Sequence, residues 1–522
     1  MLKGRGALQD INQTRAIRPY VKKVFTCNCV RSILPKLQEA LQTAVEHPRG
    51  PVFVEIPIDL LYSIQEVRAN MGLSKRILAK NLPKNEQINC YVPDKQDPNT
   101  YFKSKTGSQP VFLKIKPHLP WWLKIYMQIK LCWIFGNAFV EKPIIKLLPP
   151  NTSSYIRQAF KVSKMLSRYK QPIIVLGSQS IQTKEQAEII ITALNKLQIP
   201  VFLSGMARGL LGTDHPFHIQ QGKSNALKTA DFIMLCGVEI DFRMDYGKKL
   251  SKKATIVVVH PVPALTKQNA DIFWRPTLRI HIEPSTVLKK LSEEVTQINC
   301  AEWLKQLQKT SKEMSDTIML KAYVSPNRKD PTKAAIHPIE LGIALDHVIE
   351  PNAIIIGDGG DFVGTVANIL SGRGPLSWLD PGSFGTLGVG GGFALAAKAV
   401  HPEKPVWLLW GDGSSGFSLA EIDTMCRHKL PIVAVIGNDA GWTQIERDQV
   451  PIFDDDVACI LEYTAYHTVA EGYGGIGMVV KHGDSLVEKL ERAKVLCLEK
   501  KKPVVVNVLL GSSTFREGSI SV

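Results

Sequence analysis

The sequence predicts an α/β protein whose domains are built around parallel sheets, and three observations support this fold class. Short apolar runs of strand length alternate with longer helical stretches through most of the 522 residues, as in layered α/β domains. Several of these runs end directly in glycine, which is typical of strands in a nucleotide-type parallel sheet. The length suggests roughly three domains, and the hydrophobic content of 44% is ample for buried cores.

The charge balance is basic, with 64 Lys and Arg residues against 48 Asp and Glu residues and a net charge of +16. No compact basic block with interleaved aromatic side chains occurs, so the sequence argues against a nucleic-acid partner. Nine cysteines follow no regular framework. Cys27 and Cys29 are the one close pair and a weak metal signal, and the pattern favours buried thiols of a reducing compartment.

Residues 1–62 form the first predicted segment. A helix is predicted where apolar residues recur at four-residue spacing, at Ile33, Leu37, Leu41 and Val45. The run from Gly50 to Asp59 then predicts a turn followed by a short, fully buried strand.

Residues 63–152 are predicted to be a linker or insertion, because Lys, Asn and Pro are common and the alternation of helix and strand is lost. Inside this segment, Pro120 to Val140 is rich in Trp and other aromatic residues, with lysines interspersed. It is too short and too charged for a membrane span. Two alternatives stay open: an amphipathic aromatic helix lying on a membrane surface or on another domain, or a helix packed on its own protein.

Residues 153–292 are predicted to form a central domain with four apolar strands. These strands are Pro172–Gly177, Pro200–Leu203, Phe232–Gly237 and Thr255–Val259. No G-x-G-x-x-G motif follows any of them, so the sequence does not establish nucleotide binding. Residues 293–335 follow as a charged helical connector.

Residues 336–522 are predicted to form the last domain, again of alternating helices and strands. Its predicted strands are Ala353–Ile356, Val406–Trp410, Ile432–Ile436 and Val504–Leu509.

The stretch from Val406 to Trp442 is the most informative part of the sequence. One strand ends in Gly411-Asp412-Gly413-Ser414, and the next ends in Gly437-Asn438-Asp439-Ala440-Gly441. Ligands bind at the carboxyl ends of parallel strands, and glycines there let backbone N–H groups approach a phosphate. Carboxylate and amide oxygens suit Mg²⁺, which takes a few protein oxygens together with phosphate and water. The unit therefore predicts a site for a Mg²⁺-diphosphate.

This unit resembles the signature of thiamine-diphosphate enzymes, and three further stretches are similar to the same family. Leu379 to Gly390 resembles the preceding segment of 2-hydroxyacyl-CoA lyases and oxalyl-CoA decarboxylases. Ser204 to Gly209 resembles the loop of the central domain, and Gly50 to Pro57 resembles the end of the pyrimidine-binding domain. The runs Gly437 to Ile445 and Phe515 to Ile520 are most similar to the acetolactate synthase-like group of 2-hydroxyacyl-CoA lyases.

The resemblance implies particular metal ligands. Asp412 is expected to bind Mg²⁺ through its side chain. The second side-chain ligand is either Asn438 or Asp439, and both stay open. A backbone carbonyl of Ala440 or Gly441 is expected to complete the protein's contribution.

The resemblance also implies contacts with thiamine diphosphate itself. Gly411, Gly413, Ser414 and Gly441 are expected at the diphosphate, where Gly413 and Ser414 donate backbone N–H groups. In the preceding segment, Gly385 is expected to contact the cofactor, and Leu387 matches the apolar side chain that props it between its two rings.

Two further groups of residues are candidates for the site. Gly359, Gly360 and Asp361 follow the first strand of the last domain and are expected to line the mouth of the cofactor site. Arg208 and Arg243 of the central domain could meet the phosphates of coenzyme A or ADP, but structural ion pairs are the favoured role.

The function that the resemblance implies is cleavage of a 2-hydroxyacyl-CoA to formyl-CoA and a shortened aldehyde, as in fatty-acid α-oxidation. The alternatives are an acetolactate synthase-like carboligase and a form without catalysis. The resemblance also implies a dimer or tetramer, an acyl-CoA substrate and a location at the endoplasmic reticulum membrane.

One departure from the family concerns the glutamate that activates the cofactor's aminopyrimidine ring. About fifty residues precede the Gly50 to Pro57 run, and Gly4 to Gln9 resembles a late loop of the pyrimidine-binding domain. That domain is therefore expected to be incomplete, without its activating glutamate, and Glu55 is no substitute. An incomplete sequence of a normal enzyme is favoured over a short, inactive protein, because the residues around the diphosphate are intact. By itself, this chain is expected to bind the cofactor poorly and to show little turnover.

Overall fold

The computed structural model describes residues 12–46, 48–62, 64, 67, 120–136, 153–270, 273–295, 298–322 and 335–516. It divides into two compact units, Met1–Pro150 and Asn151–Val522, and each is described by itself. The predicted features at Gly4 to Gln9, at Glu517 to Ile520 and in most of 63–152 lie outside the described residues.

The first unit contains a small parallel sheet and three described helices. Strand β1 (Lys23–Thr26) pairs with β2 (Val52–Glu55), and the helices are α1 (Gln13–Ile17), α2 (Ile33–Val45) and α3 (Trp121–Phe135). The predicted strand after Gly50 is therefore present as β2, but its predicted full burial is wrong, because all four residues are only half-buried. In the described residues β2 has one neighbouring strand, which covers one edge of it.

The helix predicted from four-residue spacing is confirmed as α2, but its predicted apolar face is wrong in part. Leu41 is 57% exposed and Val45 is 39% exposed, whereas Ala40 is buried. Side chains four residues apart are displaced around an α-helix by about 40° at each step. Over the three steps from Ile33 to Val45 the apolar line therefore turns away from the surface that α2 covers.

The aromatic segment forms helix α3. Of its two alternatives, packing on its own protein is seen at Leu131 and Phe135, whereas the predicted amphipathic character is wrong. Trp121, Trp122 and Ile129 are exposed, while Leu131 and Phe135 are buried. Apolar side chains thus occur on the outer as well as the packed side of the helix, which is what an amphipathic helix lacks. Among the described residues, no helix is both long enough and apolar enough to cross a membrane.

The second unit begins with the central sheet, whose five parallel strands lie in the order β4-β3-β5-β6-β7. The strands are β3 (Pro172–Leu176), β4 (Val201–Leu203), β5 (Phe232–Cys236), β6 (Thr255–Val259) and β7 (Leu278–Ile280). The helices are α4 (Ser153–Leu166), α5 (Lys184–Leu197), α6 (Lys223–Thr229) and α7 (Pro284–Glu294). Four of the strands were predicted, and β7 was not.

The predicted charged connector contains one long helix, α8 (Ala301–Lys321). Its Trp303 and Leu307 are buried against one face of the central sheet, in the same apolar cluster as Val175 and Leu235. The connector is therefore part of the packed unit, because two apolar side chains at helical spacing fix it to the sheet.

The last sheet has six parallel strands in the order β12-β13-β11-β10-β8-β9. They are β8 (Ile354–Asp358), β9 (Trp378–Leu379), β10 (Val406–Gly411), β11 (Val433–Asn438), β12 (Ile476–Val480) and β13 (Val504–Leu509). The helices are α9 (Pro338–Val348), α10 (Gly360–Val366), α11 (Gly390–Val400), α12 (Asp412–Ser415), α13 (Glu421–Arg427), α14 (Thr443–Phe453), α15 (Tyr466–Gly472) and α16 (Leu486–Lys500). The α/β class with parallel sheets is thus confirmed.

Both faces of the last sheet are covered, and this explains the sequence of its strands. Every residue of β8, β10 and β11 is buried, as expected for parallel strands between two helical layers. From β8 the chain passes to β9 on one side and then to β10 on the other. The strand order therefore reverses between β8 and β10, which is where ligands bind in open parallel sheets.

Candidate functional site

A cleft of about 360 Å³ opens at the carboxyl ends of β8, β10 and β11, at the reversal in strand order. Eight of the nine predicted site residues line it: Gly385, Leu387, Gly411, Asp412, Gly413, Ser414, Asp439 and Gly441. Of the two alternatives for the second metal ligand, Asp439 lines the cleft and Asn438 does not belong to its lining. Gly359, Gly360 and Asp361 also lie in its wall, as predicted for the mouth of the site.

The turn after β10 brings Asp412 to the end of the sheet. Its carboxylate is 3% exposed and accepts hydrogen bonds from the backbone N–H of Gly413 (2.8 Å) and of Gly441 (3.1 Å). Asp412 therefore joins the turn after β10 to the turn after β11. The ring of Trp442 lies against Gly413 so closely that a Cβ there would meet it at 2.4 Å, which explains why this position is glycine.

The turn after β11 separates Asn438 from Asp439. The Asn438 side chain is buried and donates hydrogen bonds to the Thr464 carbonyl and to Asn507 Oδ1, each at 3.2 Å. Asp439 points instead towards the cleft and accepts a hydrogen bond of 2.6 Å from the Thr443 hydroxyl. Successive side chains at a strand end face opposite ways, so only one of the two reaches the cleft.

The two carboxylates of the cleft are close enough to repel each other. Burial raises the pKa of Asp412 to about 6. Asp439 faces the cleft with part of its surface and is otherwise enclosed by protein. Burial, together with the charge of Asp412, raises the pKa of Asp439 well above its ordinary value. No Lys or Arg among the described residues forms a salt bridge with either one. The pair thus has the charge and the hard oxygen atoms that suit a divalent cation.

The loop that carries Leu387 is fixed to the end of β8. The buried carboxylate of Asp358 accepts hydrogen bonds from the backbone N–H groups of Gly388 (3.1 Å) and Gly390 (2.8 Å). Gly385 lies in the left-handed region, with φ at +65°. Leu387 is half-buried in the cleft wall and belongs to none of the apolar cores of the described residues. Its position in the wall is the one expected of a side chain that contacts a ligand.

A buried ion cluster lies behind the cleft wall. Asp361 follows β8 and is 2.7 Å from the Arg447 guanidinium, with Arg516 at 4.0 Å. Burial lowers the pKa of Arg516. The sequence analysis did not find this cluster, because its three members come from segments far apart in the chain.

The structural ion pair favoured from the sequence is present for Arg243 but not, among the described residues, for Arg208. Arg243 forms ion pairs with Asp241 (2.7 Å) and Glu239 (3.1 Å). Arg208 donates a hydrogen bond of 2.7 Å to the Ala367 carbonyl and lies over the ring of Trp378. Arg243 also borders the cleft, but its charge is already neutralised by two carboxylates.

The close pair of cysteines is not part of a metal site in the described residues. Cys27 and Cys29 are buried free thiols, and no cluster of three or more His, Cys, Asp or Glu side chains suited to a metal occurs in the part of the chain that is described. A metal in the cleft would therefore need oxygen atoms beyond the two carboxylates, as Mg²⁺ bound to a diphosphate has.

Two sequence models of protein domains match the second unit. The C-terminal TPP-binding domain of thiamine pyrophosphate enzymes matches residues 358–508, and the central domain of these enzymes matches residues 160–291. The first match begins at Asp358 and includes the cleft residues that follow β8, β10 and β11.

Three relatives illustrate the similarity along the whole chain. The 2-hydroxyacyl-CoA lyase 2 of Danio rerio is 39% identical over 528 residues, which cover 100% of this chain and 77% of that protein. The protein of the same name from Homo sapiens is 38% identical, with 100% and 76% covered. The probable acetolactate synthase of Mycobacterium bovis is 25% identical, with 98% and 77% covered.

Proposed function

The chain belongs to the thiamine pyrophosphate enzymes, within the family of the 2-hydroxyacyl-CoA lyase 2 proteins, and we propose that it cleaves the C1–C2 bond of a 2-hydroxyacyl-CoA. The products are formyl-CoA and an aldehyde one carbon shorter. The observation that carries this proposal is the similarity to lyases of that name at 37–39% identity over the entire chain. The second candidate, acetolactate synthase-like carboligation, is supported by relatives at 25% identity.

The residues that line the cleft are of the kind that suits thiamine diphosphate. Gly411, Gly413 and Ser414 place backbone at the N-terminus of α12, where N–H groups and small side chains leave room for phosphate oxygens. At present the Gly413 N–H donates to Asp412, and a diphosphate would compete for it. When bound, thiamine diphosphate supplies a nucleophilic carbon that also stabilises negative charge on the acyl carbon.

We assign Mg²⁺ to Asp412 and Asp439, with Thr443 orienting the second carboxylate. A divalent cation would neutralise the two like charges that the cleft brings together. Of the two backbone carbonyls expected from the sequence, that of Ala440 already accepts a hydrogen bond of 2.9 Å from the Leu461 N–H. Gly441 is therefore the favoured third ligand, and Asn438 is left with its structural role beside Asn507.

Leu387 is assigned the role of holding the cofactor's rings at the correct angle. Its side chain lies on Gly359, where an added Cβ would be 2.4 Å from Leu387 Cδ2. An apolar side chain supported by backbone on one side can support a ring on the other without hydrogen bonds of its own.

A substrate comparison tests the assignment against its alternatives. The purified full-length enzyme, with thiamine diphosphate and Mg²⁺, is given a 2-hydroxyacyl-CoA or pyruvate in separate reactions, and products are identified by mass spectrometry. We expect formyl-CoA and the shortened aldehyde from the first and no acetolactate from the second. The reverse result would replace the lyase with the carboligase. Tight calorimetric binding of the cofactor without either product would favour a form without catalysis.

We also propose that the protein is a homo-oligomer, a dimer or a tetramer. Support comes from large apolar side chains that are exposed in the last domain: Phe384 (89%), Phe417 (67%), Ile452 (72%) and Phe453 (72%). Contact with a second copy of the chain would remove such side chains from water. Light scattering on the purified protein should give at least twice the mass of one chain, and a monomer at micromolar concentration would contradict the proposal.

The last proposal is association with a membrane surface at the endoplasmic reticulum. Its support is α3, where Trp121, Trp122, Tyr126 and Trp133 are between 49% and 74% exposed, and aromatic side chains favour the membrane interface. Co-sedimentation with anionic vesicles should fall when Trp121 and Trp122 are changed to Ser. Equal sedimentation of the variant would exclude α3 as the contact, and cell fractionation would test the organelle.

A further inference from the structure

The carboxylate of Asp358 is at the centre of a set of contacts that meet at the end of β8. It is fully buried, and Gly388 N–H donates to both of its oxygens at 3.1 Å while Gly390 N–H donates to Oδ2 at 2.8 Å. The indole Nε1 of Trp410 donates to the same oxygen at 3.2 Å. The two backbone donors follow Leu387 closely, Gly388 in the loop and Gly390 at the start of α11, so this segment is attached to the strand end through its own amides.

The backbone around Asp358 contacts two other parts of the cleft. Its carbonyl accepts a hydrogen bond of 2.5 Å from the Ser414 hydroxyl, in the turn that follows β10. The next residue, Gly359, directly supports the Leu387 side chain. The end of β8 is therefore in contact with the loop of Leu387 on one side and with the diphosphate turn on the other.

We propose that Asp358 is a positioning residue, which fixes the distance of the Leu387 side chain from the turn of Gly411 to Ser414. The inference rests on the proposed function, because this distance matters to the reaction only if thiamine diphosphate occupies the cleft. A buried carboxylate that accepts three N–H groups is a rigid attachment, since releasing a backbone donor would leave that N–H without a partner and part of the charge uncompensated. Asp358 touches neither the cleft's metal ligands nor its open space in the contacts described, so it acts through Leu387.

Residue-resolved hydrogen–deuterium exchange on the cofactor-free protein tests the attachment directly. In the wild type, the amides of Gly388 and Gly390 should exchange slowly, whereas that of Thr386 at the exposed tip should exchange fast. Asp358→Asn keeps the shape but presents an amide that cannot accept all three donors. We expect the exchange of both glycine amides to rise by about tenfold or more, with β10 and β11 unchanged.

Two control variants separate positioning from general stability. Leu387→Ala removes the supported side chain and should leave the exchange of Gly388 and Gly390 unchanged. Trp410→Phe removes one of the three donors to Asp358 and should also leave the loop amides protected. If Asp358→Asn accelerates exchange equally throughout the domain, or if the wild-type glycine amides exchange fast, the inference is wrong. The second of these results is measured on the wild type, so it does not depend on whether the Asp358→Asn variant folds.

Kinetics on the loaded enzyme give the second readout. Asp358→Asn and Leu387→Ala should both lower kcat by about tenfold or more while the Kd of thiamine diphosphate changes less than threefold, because the diphosphate contacts remain. Unchanged kcat in Asp358→Asn with a loosened loop would overturn the positioning role. A wild type with no lyase activity would instead remove the proposed function, while exchange in the cofactor-free protein would still report whether Asp358 holds the loop.

Discussion

The central sheet and the last sheet of the second unit share one architecture but differ at their carboxyl ends. Each is fully parallel, and each has a cavity where the strand order reverses, about 210 Å³ in the central domain and about 360 Å³ in the last. At the central edge, Arg243 is paired with Asp241 and Glu239. At the other edge, Asp412 and Asp439 are together without a described cationic partner. The strand order thus locates a cavity, whereas the balance of charge indicates which of the two edges is suited to a cation.

The largest expected difference between the two edges is produced by Asp412→Asn. Calorimetry with thiamine diphosphate and Mg²⁺ should show affinity weakened by at least about 100-fold, because one of two charged ligands is lost. The cofactor-free protein should be no less stable, since the change removes a repulsion. Asp423→Asn, at an exposed pair with Arg427, is the matched control and should change neither quantity. Wild-type affinity in Asp412→Asn would remove Asp412 from the metal site.

Leu387→Ala should have the next largest effect, and the quantity affected should be the turnover number. We expect kcat to fall by about tenfold to 100-fold, as for a misplacement of about 1 Å at a reacting centre. Steady-state kinetics alongside calorimetry would separate this from binding. A rise in the Kd of thiamine diphosphate as large as the fall in kcat would show that Leu387 serves binding instead.

Asn438→Ala distinguishes the two adjacent residues at the end of β11. It should cost about 1–3 kcal/mol in the free energy of unfolding, because Asn507 loses a buried hydrogen-bond partner. Affinity for Mg²⁺ should stay within threefold of the wild type. Asp439→Ala should give the opposite result, with weak Mg²⁺ binding and little loss of stability in urea unfolding. If Asn438→Ala alone weakens the metal, the assignment is reversed.

The smallest effect is expected at the central edge. Arg243→Gln breaks two ion pairs of a side chain that is 20% exposed, and should change the free energy of unfolding by about 1 kcal/mol. Cofactor affinity should remain within threefold, because the Arg243 charge is already neutralised. A tenfold loss of affinity would show that this arginine serves the cleft as well, and the contrast between the two edges would disappear.

The sequence predicted the parts of the molecule that depend on local pattern. The α/β class, the thiamine-diphosphate family and the lyase group are confirmed by the sheets, the family matches and the relatives. Asp412 was predicted as a residue of the site because the strand, the glycine turn and the carboxylate follow one another directly in the chain. Strands β1, β7, β9 and β12 were not predicted. Of these, β7 and β9 have three and two residues, which is too short for a periodic signal.

Other features depend on tertiary contacts and could not be predicted from the sequence. The choice between Asn438 and Asp439 required Asn507, 69 residues away. Asp358 was predicted neither as a strand end nor as part of the site, because its donors lie 30 and 32 residues along the chain. The exposure of Leu41 and Val45 in α2 depends on how far the line of apolar side chains turns around the helix, away from its covered side.

The pairing of β10 with β11 has a consequence for changes in chain length. Gly411 is paired with Gly437, and this alignment decides that Asp439 reaches the cleft while Asn438 faces Asn507. A one-residue deletion or insertion that shifted β11 along β10 would interchange the two directions, and an amide would replace an anion beside Asp412. Natural or designed length variation is therefore best accommodated in the exposed turn of His428 and Lys429, before β11.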